Sequence, residues 1–116
     1  MKNANDQLAV FTGTTQWFKH PLFEKFYTVG IKYMAETFSA FWLIDLVFSH
    51  QLTPKVRNEQ FQTWVLKRIA GNSFIAIATD GNDNIIAQQQ IPFSDFDADE
   101  LTLFYVDDTL LLPSEY

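Results

Sequence analysis

The spacing of the hydrophobic residues changes near the middle of the chain. In the first half, apolar residues recur every three or four positions, as one face of a helix requires: Ile31, Met34, Ala35 and Phe38. Thr28 is a good N-cap, so this pattern predicts a helix over residues 29–37. Gly30 is a weak helix former in its first turn, which indicates that another group approaches the backbone closely there.

A second helical segment follows at residues 40–50, with Ser39 as the predicted N-cap. This segment is apolar on nearly every side, and a helix of that kind is buried rather than amphipathic. The pattern leaves open whether the two segments form one kinked helix or two separate helices.

In the second half, short β-prone segments are separated by turn residues, which is typical of strands. Residues 73–79 predict a strand, and the turn signal Asp80-Gly81-Asn82-Asp83 predicts a hairpin that returns along residues 84–91. Residues 101–106 and 109–112 predict two more strands around Asp107-Asp108. Residues 61–69 fit a helix face as well as a strand, and we favour the strand because the next segments pair naturally with one.

Helices followed by strands predict an α+β domain. We expect N-terminal helices packed on one face of an antiparallel β-meander of about four to five strands. The 116 residues fit a single domain over 1–116, with residues 1–8 polar and frayed. Residues 10–15 are β-prone and residues 16–20 extend them. Phe23, Phe26 and Tyr27 recur at helical spacing, and residues 52–59, with Pro54, predict a loop.

Composition narrows the class of protein. Aromatic residues make up 16% of the chain, enough for a large buried core. There is no cysteine, which excludes disulfides, thiolate nucleophiles and Cys-based metal sites. No signal-peptide pattern is present, and the longest apolar run, 38–48, is too short to span a bilayer. We therefore expect a soluble cytoplasmic protein.

The charges are distributed unevenly along the chain. All eight Lys and Arg residues lie between Lys2 and Arg68, together with five acids, so this part carries +3. Residues 69–116 hold nine acids and no basic residue, so they carry −9 and the total is −6. An acidic half that is also apolar indicates a folded, charged surface. Such a surface repels nucleic acid and attracts basic proteins.

Residues that could carry chemistry are few. Asp45 is the one charge in the apolar helix; it is either a general base in a buried site or a residue on the helix's single solvent-facing line, and we favour the second. His20 and His50 lie in no metal-binding arrangement, so we expect no metal and no cofactor. Asp95-Phe96-Asp97-Ala98-Asp99 departs from a calcium loop, because Glu100 stands where that loop needs glycine. Phosphate-loop and nucleophile-elbow motifs are absent.

A set of spaced residues nevertheless resembles a known family. The set is Trp17-x-x-His20, Tyr27-Thr28-x-Gly30-x-Lys32-Tyr33-x-Ala35-Glu36, Trp42-Leu43-x-Asp45, Phe61-x-x-Trp64 and the ending Leu110-Leu111-Leu112-Pro113-Ser114-Glu115-Tyr116. It is similar to a domain-of-unknown-function family of small bacterial proteins from plasmids, prophages and other mobile elements, over nearly the whole chain. The resemblance brings no established activity. It implies a setting in which small acidic proteins are often regulators, or inhibitors of host defence such as anti-CRISPR-type proteins.

Three hypotheses of function follow. We favour a non-enzymatic module that docks on a basic protein, such as a nucleic-acid-handling or defence complex, by charge mimicry of a phosphate backbone. Its acidic surface would comprise Asp80, Asp83, Asp95, Asp97, Asp99, Glu100, Asp107 and Asp108. The alternative is a small ligand-binding protein or enzyme with a pocket near Trp17, His20, Tyr33, Glu36 and Asp45. The third is a homo-oligomer joined through Phe or Trp rings. None of the three involves direct nucleic-acid binding or a membrane.

Overall fold

Seven strands form one sheet in the computed structural model, which describes residues 2–13 and 16–116. The strands are β1 (Trp17–Lys19), β2 (Phe26–Thr28), β3 (Phe61–Ala70), β4 (Ser73–Thr79), β5 (Ile85–Ile91), β6 (Glu100–Val106) and β7 (Thr109–Leu111). Their spatial order is β1-β2-β7-β6-β3-β4-β5. Neighbouring strands are antiparallel except β2 and β7, which run parallel.

Four α-helices and one 3₁₀ turn complete the part of the chain that the structure describes. The helices are α1 (Ala4–Leu8), α2 (Val29–Thr37), α3 (Phe41–His50) and α4 (Pro54–Arg57), and the 3₁₀ turn is Pro113–Glu115. None of these helices is long and apolar enough to cross a membrane.

The predicted α+β class is confirmed, but the predicted number of strands and placement of helices are wrong. The sheet has seven strands rather than four to five. Helical structure is not confined to the N-terminal part, because the 3₁₀ turn Pro113–Glu115 lies at the other end of the chain, and β1 and β2 come before α2. Phe26 and Tyr27 lie in β2, not in a helical turn. A three-residue strand is too short to show alternation. β2 is held by β1 and by β7, which lies far along the chain, through the registers Phe26↔Thr109 and Tyr27↔Leu110.

The two main helices follow the predicted pattern and are separate. Thr28 caps α2, because its side chain accepts a hydrogen bond from the Ile31 N–H. Ser39 has a φ of 53°, in the left-handed region, so the chain turns between α2 and α3. The cap of α3 is Ala40 rather than Ser39. Asp45 lies on an exposed line of α3, as favoured from the sequence.

One face of the sheet is buried. On β3, β4 and β6 every second side chain is buried: Gln62, Trp64 and Leu66; Phe74, Ala76 and Ala78; Leu101, Leu103 and Tyr105. α3 packs on this face, with Phe48 against Tyr105 and His50 against Trp64. Each fully buried large apolar side chain of such a core contributes about 1.5–3 kcal/mol of transfer free energy.

The sequence predicts a frayed end over residues 1–8. Residue 1 lies outside the described residues, and residues 4–8 form α1, which packs against β6. Ala4 and Leu8 of α1 are each 1% exposed. The Asn5 side chain accepts from the Thr102 N–H at 2.6 Å and donates to the Thr102 carbonyl at 2.9 Å, so it acts like a peptide group at the edge of β6. A polar residue that satisfies a strand edge in this way is not visible in a hydrophobicity pattern.

Two smaller predictions also need correction. Val10–Gly13 is irregular rather than a strand, and Thr14 and Thr15, the rest of that predicted segment, lie outside the described residues. The predicted loop over 52–59 contains α4, which Pro54 opens at its first turn.

Candidate functional site

The second face of the sheet carries neither α2 nor α3, and it mixes apolar side chains with polar ones such as Thr63, Lys67 and Thr102. We call it the open face. Its apolar side chains are half-buried: Phe61, Val65, Ile75, Ile77, Phe104, Val106 and Leu111. They form one surface because paired residues share a face, as in Val65↔Ile77 and Phe104↔Leu111. The Tyr116 ring, 72% exposed, packs on this surface at one end.

The eight predicted acids of the docking surface fall at two ends of the sheet. β3 begins beside Val106 and near Thr79, so Asp80, Asp83, Asp107 and Asp108 lie at that end. Lys67, towards the other end of β3, pairs with Glu100, so Asp95, Asp97, Asp99 and Glu100 lie at the opposite end. The acids therefore border the open face in two groups.

Half of these acids are paired with basic side chains. The ion pairs are Asp97–Lys2 at 3.2 Å, Asp99–Arg68 at 2.8 Å, Glu100–Lys67 at 3.7 Å and Asp108–Lys25 at 3.1 Å. Asp80 accepts hydrogen bonds from the N–H groups of Asn82 and Asn84 and closes its turn. Within the described chain, the side chains of Asp83, Asp95 and Asp107 have no hydrogen-bond or ion-pair partner. These three carboxylates are available to a partner.

Some of the engaged acids have shifted pKa values. The Lys2 N–H, followed by Arg68, lowers the pKa of Asp99. The N–H groups of Asn84 and Asn82 lower the pKa of Asp80. The Lys25 ammonium lowers the pKa of Asp108, so these three carboxylates stay ionised in mildly acidic solution.

Of the five residues predicted for the alternative pocket, two are in contact with each other. His20 Nε2 lies 2.6 Å from Asp45 Oδ1, so the Trp17-x-x-His20 and Trp42-Leu43-x-Asp45 segments meet. The other three residues have separate surroundings: Trp17 is 56% exposed, Tyr33 packs on Phe11, and Glu36 pairs with Lys32.

The hydrogen bonds of His20 indicate a positioning role. Its Nδ1 accepts from the Leu22 N–H at 3.1 Å, so Nε2 carries the ring proton and donates to Asp45. The ring also packs between Phe23 and Phe48, and its side chain is 12% exposed. With both nitrogens engaged, the ring has no lone pair free for general-base chemistry, and it ties the β1–β2 loop to α3.

A buried carboxylate that sequence reasoning did not single out joins the two ends of the motif set. Glu115, 6% exposed, accepts hydrogen bonds from Thr28 Oγ1 at 2.6 Å, the Gly30 N–H at 3.1 Å and the Leu112 N–H at 3.0 Å. A Cβ on Gly30 would lie 2.6 Å from this carboxylate, so the predicted close approach to Gly30 is confirmed. In the sequence, Gly30 in the first turn of α2 indicated a close approach, but it did not identify Glu115 as the group that approaches.

No group of three His, Asp or Glu side chains suited to a metal ion occurs in the described ranges 2–13 and 16–116. His50, the other histidine, bonds Gln89 at 2.7 Å through Nε2.

Comparison with known proteins places the chain in a family without giving it an activity. No curated protein and no solved structure matches the chain significantly. One family model, described as a family of unknown function (DUF6876), matches residues 2–116 and confirms the resemblance to a domain-of-unknown-function family. The chain belongs to the family DUF6876.

Proposed function

We propose that this protein is a non-enzymatic protein-binding module that docks its open face on a basic partner. The observation that carries the proposal is the group of apolar side chains that four neighbouring strands place on the open face, with acids at both ends of the sheet. Large apolar surfaces with polar rims are typical of protein-interaction sites.

The open face supplies the apolar part of the interface. Its side chains come from four neighbouring strands, and β3 and β6 lie at its centre. A partner that covers them removes apolar area from water, with a gain of about 25 cal/mol per Å² before the costs of association. Tyr116 adds an exposed aromatic ring at one edge, a residue type enriched at interfaces.

The acids determine which kind of partner is complementary to the interface. Asp83 and Asp107 lie free at one end of the sheet and Asp95 lies free at the other, so a partner with basic residues on both sides of an apolar strip is complementary. The net charge of −6 also steers basic proteins towards the molecule.

The partner class in this proposal is a nucleic-acid-handling protein, in which carboxylates take the place of phosphates in a basic groove. The lack of basic residues beyond Arg68 supports it, because this acidic half does not itself attract nucleic acid. In its specific form, the proposal is that the protein is encoded on a mobile element and inhibits a defence complex of the host.

The test begins with capture of binding proteins from a lysate of the source organism, followed by binding measurements with the purified partner. Ile77→Lys places a charge on the open face, and Leu22→Lys, at an apolar residue 81% exposed in the β1–β2 loop, is the matched control. We expect Ile77→Lys to weaken binding at least about tenfold, which is about 1.4 kcal/mol. Leu22→Lys should leave the affinity unchanged.

The charge part of the proposal needs its own variants. A combined reversal of Asp83, Asp95 and Asp107 to Lys should slow association and reduce its salt dependence. Asp6→Lys, at an exposed residue of α1, controls for an added positive charge. A short DNA duplex should compete with the protein for the partner. Equal affinity of Ile77→Lys and Leu22→Lys for every captured partner, with both variants folded, would refute docking through the open face.

A further inference from the structure

A groove of about 320 Å³ opens between the start of α3 and the loop that follows β5. It is lined by Ser39, Trp42, Ile91, Phe93, Ser94 and Asp95. The lining therefore combines two aromatic rings with a single charged group, and that group is a carboxylate.

The aromatic side of the groove is held in place. Phe93 is 69% exposed and Trp42 is half-buried. The next residue, Ser94, donates its N–H to the Asn72 carbonyl at 2.9 Å, and its Oγ accepts from the Phe96 N–H at 3.1 Å. Because Phe96 is itself 1% exposed, Phe93 stands on an anchored loop. An exposed ring on a fixed segment costs less conformational entropy on binding than one on a loose tip.

The carboxylate side of the groove is not neutralised. Asp95 makes no hydrogen bond or ion pair with another described residue, whereas the three acids that follow it in the chain each contact a Lys or Arg side chain. The nearest Arg in this part of the sheet, Arg68, is occupied by Asp99 and by the carbonyls of Phe96 and Ala98. The groove therefore keeps a free negative charge beside aromatic faces.

We propose that this groove binds an arginine side chain of the partner protein. A guanidinium stacks on aromatic faces and donates planar, charge-assisted hydrogen bonds to a carboxylate. Trp42 and Phe93 offer the aromatic rings, and Asp95 offers the carboxylate. This inference rests on the proposed protein-binding function. It adds an anchor at the Asp95 end of the sheet, on the side of α3, so a partner on the open face reaches it by extending around that end.

The experiment is an NMR titration of the ¹⁵N-labelled full chain with Nα-acetyl-arginine amide at low salt. Saturable shifts are expected at the Trp42 indole N–H and the Phe93 and Asp95 amides, and the uncharged isostere Nα-acetyl-citrulline amide should cause none. Phe93→Ala and Asp95→Asn should each weaken binding about two- to fivefold, the range of an exposed cation–π or ion-pair contact. Asp97→Asn, outside the groove lining, is the matched control and should bind as the wild type does.

Two results overturn the inference: no localised shifts with the arginine amide, or equal shifts with the citrulline amide. The outcome is separable from the proposed function. If arginine amide leaves the groove unperturbed while a partner still requires the open face, only the groove assignment fails. If arginine amide binds as expected but no partner is sensitive to Ile77→Lys, the docking proposal fails and the groove stands.

Discussion

Replacement of Glu115 by glutamine removes the charge that joins the end of the chain to the start of α2. The two side chains have nearly the same shape, so the substitution tests hydrogen bonding and charge without opening a cavity. In the structure, Oε1 accepts from Thr28 and from the Leu112 N–H, and Oε2 accepts from the Gly30 N–H. An amide has one oxygen, and its NH₂ group must face at least one of these donors.

The expected cost follows from the loss of at least one of these contacts. With the amide oxygen towards Thr28 and Leu112, the NH₂ group faces Gly30, so the bond from the Gly30 N–H is lost. A buried hydrogen bond to a charged group contributes about 1.5–3 kcal/mol, and a negative charge at a helix N-terminus adds about 0.3–1 kcal/mol. We expect Glu115→Gln to lower the free energy of unfolding by about 2–4 kcal/mol.

The measurement is equilibrium unfolding in urea, followed by tryptophan fluorescence. Glu36→Gln, at an exposed residue of α2 that pairs with Lys32, is the matched control and should cost less than about 0.5 kcal/mol. Because the two variants lose the same formal charge, their difference isolates the buried contacts. A loss below about 0.5 kcal/mol for Glu115→Gln, or equal losses for both variants, would refute this account.

Three further predictions concern the same framework. Gly30→Ala, whose new Cβ would meet the buried carboxylate at 2.6 Å, should cost about 1–3 kcal/mol in urea unfolding, whereas Gly81→Ala, with open space around it, should be close to neutral. Gln62→Met should cost about 2–4 kcal/mol, because it removes the buried amide that pairs with Gln51 and accepts from the Trp64 indole N–H; a thermal unfolding curve like that of the wild type would contradict this. The lowered pKa of Asp99 predicts a stability contribution that is present above about pH 4 and is lost as the pH falls through the folded-state pKa, so Asp99→Asn should flatten the stability profile there; an unchanged profile would show that its contacts do not contribute.

The main helices and the long strands could be predicted because their signals are local. α2 coincides with the predicted 29–37, and β4 coincides with the predicted 73–79. The ambiguous segment 61–69 is a strand, as the hairpin partners that follow it suggested. In α2 and β4, residues within the element itself carry the signal that decides its structure, whereas 61–69 was assigned from the segments that follow it.

The candidate site was less predictable. The sequence indicated an acidic surface, but only the strand registers show that the acids divide between the two ends of the sheet. The sequence also could not show that four of these acids are paired, because their basic partners lie 31 to 95 positions away along the chain. These acids are Asp97, Asp99, Glu100 and Asp108. The sequence also could not show which face of the sheet is the open face. The side chains of a strand alternate between two faces, but this pattern does not show which face the helices cover.

What the sequence by itself determined is the α+β class, the two main helices, the four long strands and the charge asymmetry, all of which depend on residue types close together in the chain. Only the tertiary structure decided the short strands β1 and β2, the burial of Glu115 and the location of the open face. The physical reason is that a three-residue strand and a buried carboxylate are stable only with their partners, and the Gly30–Glu115 contact joins residues 85 positions apart.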